Sequence, residues 1–184
     1  MTGMFSRPRG AILARFRRSQ EGTTAIEFAM VAAPFLYLLM AIFETGLMLF
    51  SEYVIENGVA KASRQIRTGQ VQTSGMAAAD FKTLVCGNLA TFLDCDANLN
   101  IDVRSFTKFS DISLPAPLKD DGTLSDEVTT DSSFDPGSAL EVVVVRTYYS
   151  WKLFTPGISQ LSNMAGDARL LTAGAVFRNE PYSE

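Results

Sequence analysis

The chain has 184 residues, of which 47% are hydrophobic and 20% are charged, and it contains two cysteines and no histidine. This length suits one domain with an appendage rather than two full domains. The absence of histidine removes the commonest general base, the commonest metal ligand and every Ser-His or Cys-His nucleophile pair. We therefore predict that the protein is not an enzyme and that it needs no metal and no cofactor.

Charge is distributed unevenly along the sequence. Residues 1–22 carry Glu21 and five arginines, Arg7, Arg9, Arg15, Arg17 and Arg18. That leaves 11 basic and 19 acidic residues, a net charge of −8, for residues 23–184. An acidic body lacks the positive surface that nucleic acid requires, so no nucleic-acid partner is predicted.

An apolar segment follows the basic residues. Residues 28–43 are uninterrupted by charge, and the apolar character resumes after Glu44 as far as Phe50. The extended segment spans roughly 35 Å as a helix, enough to cross a bilayer core of about 30 Å. A buried core helix and a cleaved secretory signal are the alternatives, but neither explains both the arginine cluster and the apolar residues beyond Glu44. We predict a retained membrane helix over 23–51, with the N-terminus held in the cytoplasm by the arginines.

The start of this segment resembles a class III, prepilin-type signal. Gly22 is followed by four residues, then by Glu27 and the apolar helix. In the type IV pilin superfamily such a leader is cut after the glycine, so the resemblance implies cleavage between Gly22 and Thr23. The new ammonium at Thr23 would lie about one helical turn from Glu27 and could pair with the Glu27 carboxylate of a neighbouring subunit. The alternative is that Glu27 sits among the cytoplasmic headgroups without a role.

Two further residues in the apolar segment are unusual for a membrane helix. Pro34 predicts a bend that neighbouring helices can absorb. Glu44 would stand roughly 25 Å along the helix axis from Glu27, near the far interface. Two environments remain open for Glu44: it is a solvated acid at that interface, or it contacts a partner helix.

Beyond the membrane segment the helix is predicted to continue to Arg67, and Gly69 is a natural stop. An apolar stripe recurs at helical spacing, formed by Ile55, Val59, Ala62 and Ile66. Ser74 is predicted to cap a second helix. The apolar face of that helix is predicted to contain Phe81, Leu84, Val85, Leu89 and Phe92.

Cys86 and Cys95 are the only cysteines. In one unbroken helix their Cα atoms would be roughly 13 Å apart, beyond the limit of about 7 Å for a disulfide. Either the helix breaks near Gly87 and Asn88 or near Leu93 and Asp94, or the thiols stay free. We favour a disulfide, because the compartment beyond the membrane is oxidising.

The rest of the chain changes to a period of two. Residues 99–106 alternate, residues 139–151 are β-branched and aromatic, and residues 170–178 form a third candidate strand. Helices followed by three strands predict an α+β fold, in which a long N-terminal helix and a second helix pack on a roughly three-stranded antiparallel sheet, as in pilins. The aromatic residues near the second strand are predicted to be core, with an interaction surface as the alternative. They are Tyr148, Tyr149, Trp151 and Phe154.

A long acidic loop is predicted over residues 110–138, between the first two strands. Its motif DDGTLSDE does not fit the calcium-loop pattern, so a solvated surface loop is expected. Paired acids in this loop could in principle hydrolyse glycosides, but no spacing fixes two of them at a working separation. The acids considered are Asp120, Asp121, Asp126 and Glu127.

The first 70 residues resemble the TadE-like family. The resemblance rests on the block AIEFA, the second acid within IFETG, and the amphipathic continuation that ends in IRTG; the C-terminal LTAGAVFRNEPY also looks like the end of TadE-type chains. It implies a pseudopilin or minor pilin of the Tad/Flp tight-adherence pilus. Cleavage at Gly22 would then be made by a prepilin peptidase, and Glu27 would match the acid of the family.

This resemblance predicts the organisation and partners of the protein. Residues 1–22 are the cleaved leader, 23–51 the transmembrane helix and 52–184 a periplasmic α+β head, anchored by a single pass in the inner membrane. The implied partners are prepilin peptidase, other Tad pseudopilins, the Flp major pilin, the inner-membrane assembly platform and membrane lipid. Incorporation into the extracellular pilus stays open. The alternative is an unprocessed single-pass protein with an extracytoplasmic binding or scaffold domain.

Overall fold

The structure is a computed structural model, and it describes residues 22–128, 133–155 and 161–182. The chain divides at Ile42 and Phe43 into two units. Helix α1, Thr23–Arg67, is long and apolar enough to cross a membrane. It runs without interruption through Pro34. The leader arginines and Glu21 lie outside the described residues.

The second unit, residues 43–184, is called the head below, and it includes the last part of α1. Its described residues also form three short helices and three strands. The helices are α2, Gln70–Ser74; α3, Ala78–Cys86; and α4, Cys95–Asn98. The strands are β1, Leu99–Phe106; β2, Val142–Lys152; and β3, Ala168–Arg178. Two 3-10 turns, Phe109–Asp111 and Asp126–Val128, lie between β1 and β2. The predicted α+β class is confirmed.

The strands form one antiparallel sheet in the order β1-β2-β3. Leu99 pairs with Tyr149 and Phe106 with Val142, so β1 begins where β2 ends. Val142 pairs in turn with Arg178 at the end of β3. The sheet therefore has one end formed by Leu99 and Tyr149, and an opposite end formed by Phe106 and Arg178.

The core lies between one face of this sheet and the helices. The predicted stripe on α1 is confirmed, because Ile55, Val59, Ala62 and Ile66 are each at most 1% exposed. Phe81 and Val85 of α3 are fully buried in the same cluster. The strands contribute every second residue to it, as expected for a pleated sheet with one face packed against helices: Leu99, Ile101, Val103, Val143, Val145 and Tyr149.

The predicted end of α1 is confirmed, but the predicted start of the next helix is wrong. α1 ends at Arg67, and Gly69 adopts the left-handed φ of 78° that ends helices. Ser74 was wrong as an N-cap: it is the last residue of α2, and its hydroxyl donates back to the carbonyl of Val71. Helix α3 starts after Ala77, whose N–H donates to the Asp80 carboxylate.

The predicted second helix is also too long. α3 ends at Cys86, so Leu89 and Phe92 lie in the turns that follow it rather than on its apolar face. The Gly87 N–H still donates to Thr83, and the chain then turns toward α4. Leu89 nevertheless packs against the core, since a side chain in a turn can bury apolar surface as well as one in a helix.

Part of the loop between β1 and β2 covers the opposite face of the sheet. The sequence predicts a solvated surface loop there. Asp102 points to this face and is only 1% exposed. Its carboxylate accepts hydrogen bonds from Arg104 Nε at 2.8 Å and Arg146 Nε at 2.9 Å. The two arginines also reach the loop, because Arg104 donates to the carbonyl of Glu127 and Arg146 to that of Pro115.

The acidic loop is thus held against the sheet at particular positions, while most of its described residues remain at least partly exposed. Val128 is fully buried beside Tyr148 and Leu170, with Leu118 and Leu124 packed around them. A hydrogen-bonded guanidinium layer and a small apolar cluster together explain why this loop is not solvated throughout. Residues 129–132 of the loop lie outside the described residues.

Candidate assembly site

The predicted cleavage bond lies at the start of α1. Thr23 is the first residue of the helix, and Gly22 precedes it. Gly22 is exposed, and a Cβ added there would meet nothing within 4 Å.

Glu27 lies on the first turns of the same helix and is exposed. Thr23 and Glu27 are four residues apart, so their side chains lie on one face of α1. Glu27 is thus not buried within its own chain.

The apolar side chains of residues 22–42 are exposed. Phe28 is 73% exposed, Met30 74% and Val31 70%, and none of the most apolar part of α1 is buried. An apolar surface of this extent marks a contact with membrane or protein. Lipid and the helices of other subunits are both apolar enough to cover it.

Glu44 occupies neither of the two environments predicted for it. It is fully buried, and its two carboxylate oxygens accept hydrogen bonds from the backbone N–H groups of Phe154 at 2.7 Å and Thr155 at 2.9 Å. The partners are backbone groups of the same chain, about 110 residues away in sequence. Glu44 therefore fixes the segment after β2 to α1.

Cys86 and Cys95 are joined by a disulfide, with their Cα atoms 5.7 Å apart. The end of α3 at Cys86 makes this possible, since Gly87 and Asn88 start the turn that returns the chain to Cys95. The Asp94 carboxylate caps α4 by accepting from the Ala97 N–H. The disulfide closes the segment that carries Leu89 and Phe92 into a small ring.

Two of the four acids named in the loop, Asp121 and Asp126, bind groups of the loop itself. The Asp121 carboxylate accepts from the hydroxyl and N–H of Thr123, and these bonds lower the pKa of Asp121. Lys119 donates to Asp126, and this bond raises the pKa of Lys119. Among residues 22–128, 133–155 and 161–182, no group of three or more Cys, Asp or Glu side chains could hold a metal ion.

The four aromatic residues near β2 separate into two classes. Tyr148 and Tyr149 are 3% and 5% exposed, and Trp151 packs partly against the core. Burial raises the pKa of Tyr148 to about 12. Phe154 is 46% exposed and lies beyond the strand. Strand core is thus the correct interpretation for the tyrosines, and Phe154 remains a surface side chain.

The end of the chain docks on the end of α1, which the sequence pattern gave no means to foresee. The Glu180 N–H donates to the Arg67 carbonyl at 2.8 Å, and the two side chains form an ion pair. Asn179 is buried and donates to the carbonyls of Pro136 and Ser138. The ring of Tyr182 lies over Gly69, where a Cβ would come within 2.4 Å of it.

Comparison with known families bears on residues 22–64. The family model described as TadE-like protein matches this segment. No curated protein and no solved structure matches the chain.

The TadE-like match confirms the resemblance found in the sequence. It begins at Gly22 and covers most of α1. Over the matched residues, α1 is also long and apolar enough to cross a membrane. The head beyond residue 64 lies outside the match.

Proposed function

We propose that the protein is a minor pilin or pseudopilin of a Tad/Flp-type pilus, stored in the inner membrane and used in the initiation, assembly or tip of the pilus. The observation that carries this proposal is the TadE-like match, which starts at the glycine of the leader motif and follows α1. Prepilin peptidase cuts between Gly22 and Thr23. The helix that remains keeps the head on the periplasmic side.

Assembly depends on α1. Residues 22–42 expose apolar side chains that lipid covers before assembly and neighbouring helices cover afterwards. In the filament or in a priming complex, the exposed Glu27 pairs with the Thr23 ammonium of a neighbour. This pairing removes two charges from an apolar surrounding in which each alone is costly.

The proposed partners follow from this role. Prepilin peptidase recognises the leader, and the assembly platform of the inner membrane receives the processed subunit. Other Tad pseudopilins and the Flp major pilin pack against α1. The head, rigidified by its disulfide and by the docked C-terminal segment, presents its surface to partners outside the membrane.

The first test is the N-terminal sequence and intact mass of the protein from its own membranes, with and without prepilin peptidase. We expect a start at Thr23 that is lost when the peptidase is absent. A start within residues 1–21 in both strains contradicts processing. The protein is then an unprocessed single-pass scaffold or binding protein.

The second test separates assembly from processing. Glu27→Ala should be cleaved normally but should reduce piliation strongly, because the Thr23 ammonium loses its carboxylate partner. The matched control is Glu56→Ala, which removes an exposed glutamate further along the same helix and should leave piliation unchanged. Normal piliation of the Glu27→Ala strain argues against charge pairing.

A further inference from the structure

The end of the head that carries Phe154 and Phe92 has unusually exposed aromatic side chains. Phe92 is 53% exposed and Phe154 46%, and both lie beside the last apolar turns of α1. On α1 itself, Leu49, Phe50 and Tyr53 are 59%, 51% and 64% exposed. We call these five residues the collar.

Two contacts hold Phe92 and Phe154 of the collar against α1. The Glu44 carboxylate binds the N–H groups of Phe154 and Thr155, so this segment lies beside a position six residues before the end of the apolar segment at Phe50. The ring of Phe92 stacks on that of Phe50, with 6.0 Å between centroids and 19° between planes. Both rings of this stack remain half-exposed, so a further apolar surface is available on each.

The height of these contacts indicates what covers them. About 20 helical residues cross the hydrocarbon core, so a span that begins at Glu27 ends near Gly46 by sequence. Glu44 precedes that point and Phe50 follows it closely. The collar therefore lies at the level where hydrocarbon gives way to headgroups, and aromatic side chains are enriched at that level in membrane proteins.

The chemistry of Glu44 agrees with this placement. A carboxylate at this depth is costly if lipid surrounds it, and backbone N–H groups in lipid must be satisfied by the protein itself. The arrangement meets both requirements, because the carboxylate is fully buried and satisfies two N–H groups.

We infer that the end of the head formed by Phe92 and Phe154 is immersed in the outer boundary of the bilayer, where the collar contacts lipid. Lipid is favoured over a second protein as the occupant because Leu49 and Phe50 stay more than half exposed only a few residues after the apolar span, on the same helix. The exposed Lys152, two residues before Phe154, can extend its ammonium to lipid phosphates. This inference rests on the membrane span of the proposed function, but not on leader cleavage or Glu27 pairing.

The test places a single tryptophan at chosen depths in the full chain. Trp151, the only tryptophan, is first replaced in Trp151→Phe. Four variants of that protein are then reconstituted in phosphatidylcholine vesicles with bromine atoms at defined acyl positions: Phe92→Trp, Phe154→Trp, Phe109→Trp and Phe35→Trp. Bromine quenches tryptophan only at short range, so the loss of emission reports contact with lipid.

The matched control is Phe109, which is 58% exposed and follows β1 at the opposite end of the sheet. We expect loss of emission at positions 92 and 154 with bromine near the headgroups, and unchanged emission at position 109. Position 35 should lose emission with bromine deep in the acyl chains. Because Phe92 stacks on Phe50, the Phe154→Trp variant provides a second reading that does not disturb that contact.

The outcomes are distinguishable. Quenching at 35, with emission at 92 and 154 as unaffected as at 109, overturns the inference and leaves the membrane span intact. Absence of quenching at 35 overturns the span and the inference together. Quenching at 92 and 154 but not at 109 supports the inference, whether or not mass spectrometry finds the start at Thr23.

Discussion

The two units of the chain use apolar side chains in opposite ways. In residues 22–42 they are exposed, as Phe28 shows at 73%, whereas in the head Phe81 is fully buried. The sequence patterns differ accordingly, because the first unit is apolar on all sides and the head alternates with helical or strand period. A head of this kind obtains its folding free energy within the chain. The first unit must obtain its own from lipid or from other subunits.

The largest expected effect tests this contrast directly. Phe81→Ala removes a fully buried ring that contacts Phe134, with 5.5 Å between ring centroids. It should lower the free energy of unfolding of the head by about 3–5 kcal/mol. The measurement is guanidinium unfolding of the full chain in detergent micelles, followed by the fluorescence of Trp151.

Phe28→Ala is the matched control, since it removes the same ring from the exposed unit. It should change the unfolding of the head by less than about 0.5 kcal/mol. Equal losses of unfolding free energy in the two variants would contradict the comparison. They would show that the apolar surface of the first unit also stabilises the head.

The sequence allowed much of the fold to be predicted, because helix and strand periods are local. The stripe from Ile55 to Ile66 is buried as predicted, and β1 has the bounds that its alternation indicates. The second helix was predicted too long because the apolar spacing of Leu89 and Phe92 continues past the turn that begins at Gly87. The spacing of apolar residues does not show where a helix ends when the residues after it also pack in the core.

The buried acids could not be predicted, for a different reason. Asp102 occupies an outward position of β1, and only the loop that covers this face, together with Arg146 of β2, makes it buried. Glu44 is buried by backbone groups about 110 residues away. Each depends on a long-range contact that leaves no mark on the neighbouring sequence. The leader cleavage and the role of Glu27 remain predictions.

A smaller effect is expected where the C-terminal segment contacts the end of α1. Gly69 and Gly75 both have left-handed backbones, with φ of 78° and 64°. A Cβ at Gly69 would come within 2.4 Å of the Tyr182 ring, whereas at Gly75 it would meet nothing within 4 Å. Gly75→Ala should cost about 1 kcal/mol from backbone strain alone. Gly69→Ala should cost more in the same unfolding experiment.

The double variant Gly69→Ala, Tyr182→Ala isolates the contact. Without the Tyr182 ring, the alanine at position 69 should lower the free energy of unfolding only by the amount found for Gly75→Ala. The contrary outcome is that Gly69→Ala and Gly75→Ala destabilise the head equally while Tyr182 is present. In that case the C-terminal segment moves aside at no cost and contributes little to the free energy of unfolding. The hydrogen bond and the ion pair between Glu180 and Arg67 would then hold the C-terminal segment only weakly.

The smallest effect at neutral pH concerns the cluster beneath the acidic loop. Tyr148 is 3% exposed, and its hydroxyl has no hydrogen-bond partner among the described residues. Tyr148→Phe should therefore change stability by less than about 1 kcal/mol at pH 7, since no hydrogen bond is lost. The two proteins should differ clearly only at alkaline pH.

The sign follows from the pKa of Tyr148, which burial raises from 10.0 to about 12. Between these values the unfolded chain loses the phenolic proton while the folded chain keeps it, so the stability supplied by the neutral phenol falls as pH rises from about 10 to about 12. Tyr148→Phe should remove this part of the alkaline decline, and Tyr53→Phe, at a residue 64% exposed, should retain it. An identical decline in both variants, measured by unfolding across this pH range, would mean that the loop opens and hydrates the phenol before the sheet unfolds. The loop would then belong energetically with the exposed parts of the chain rather than with the core of the head.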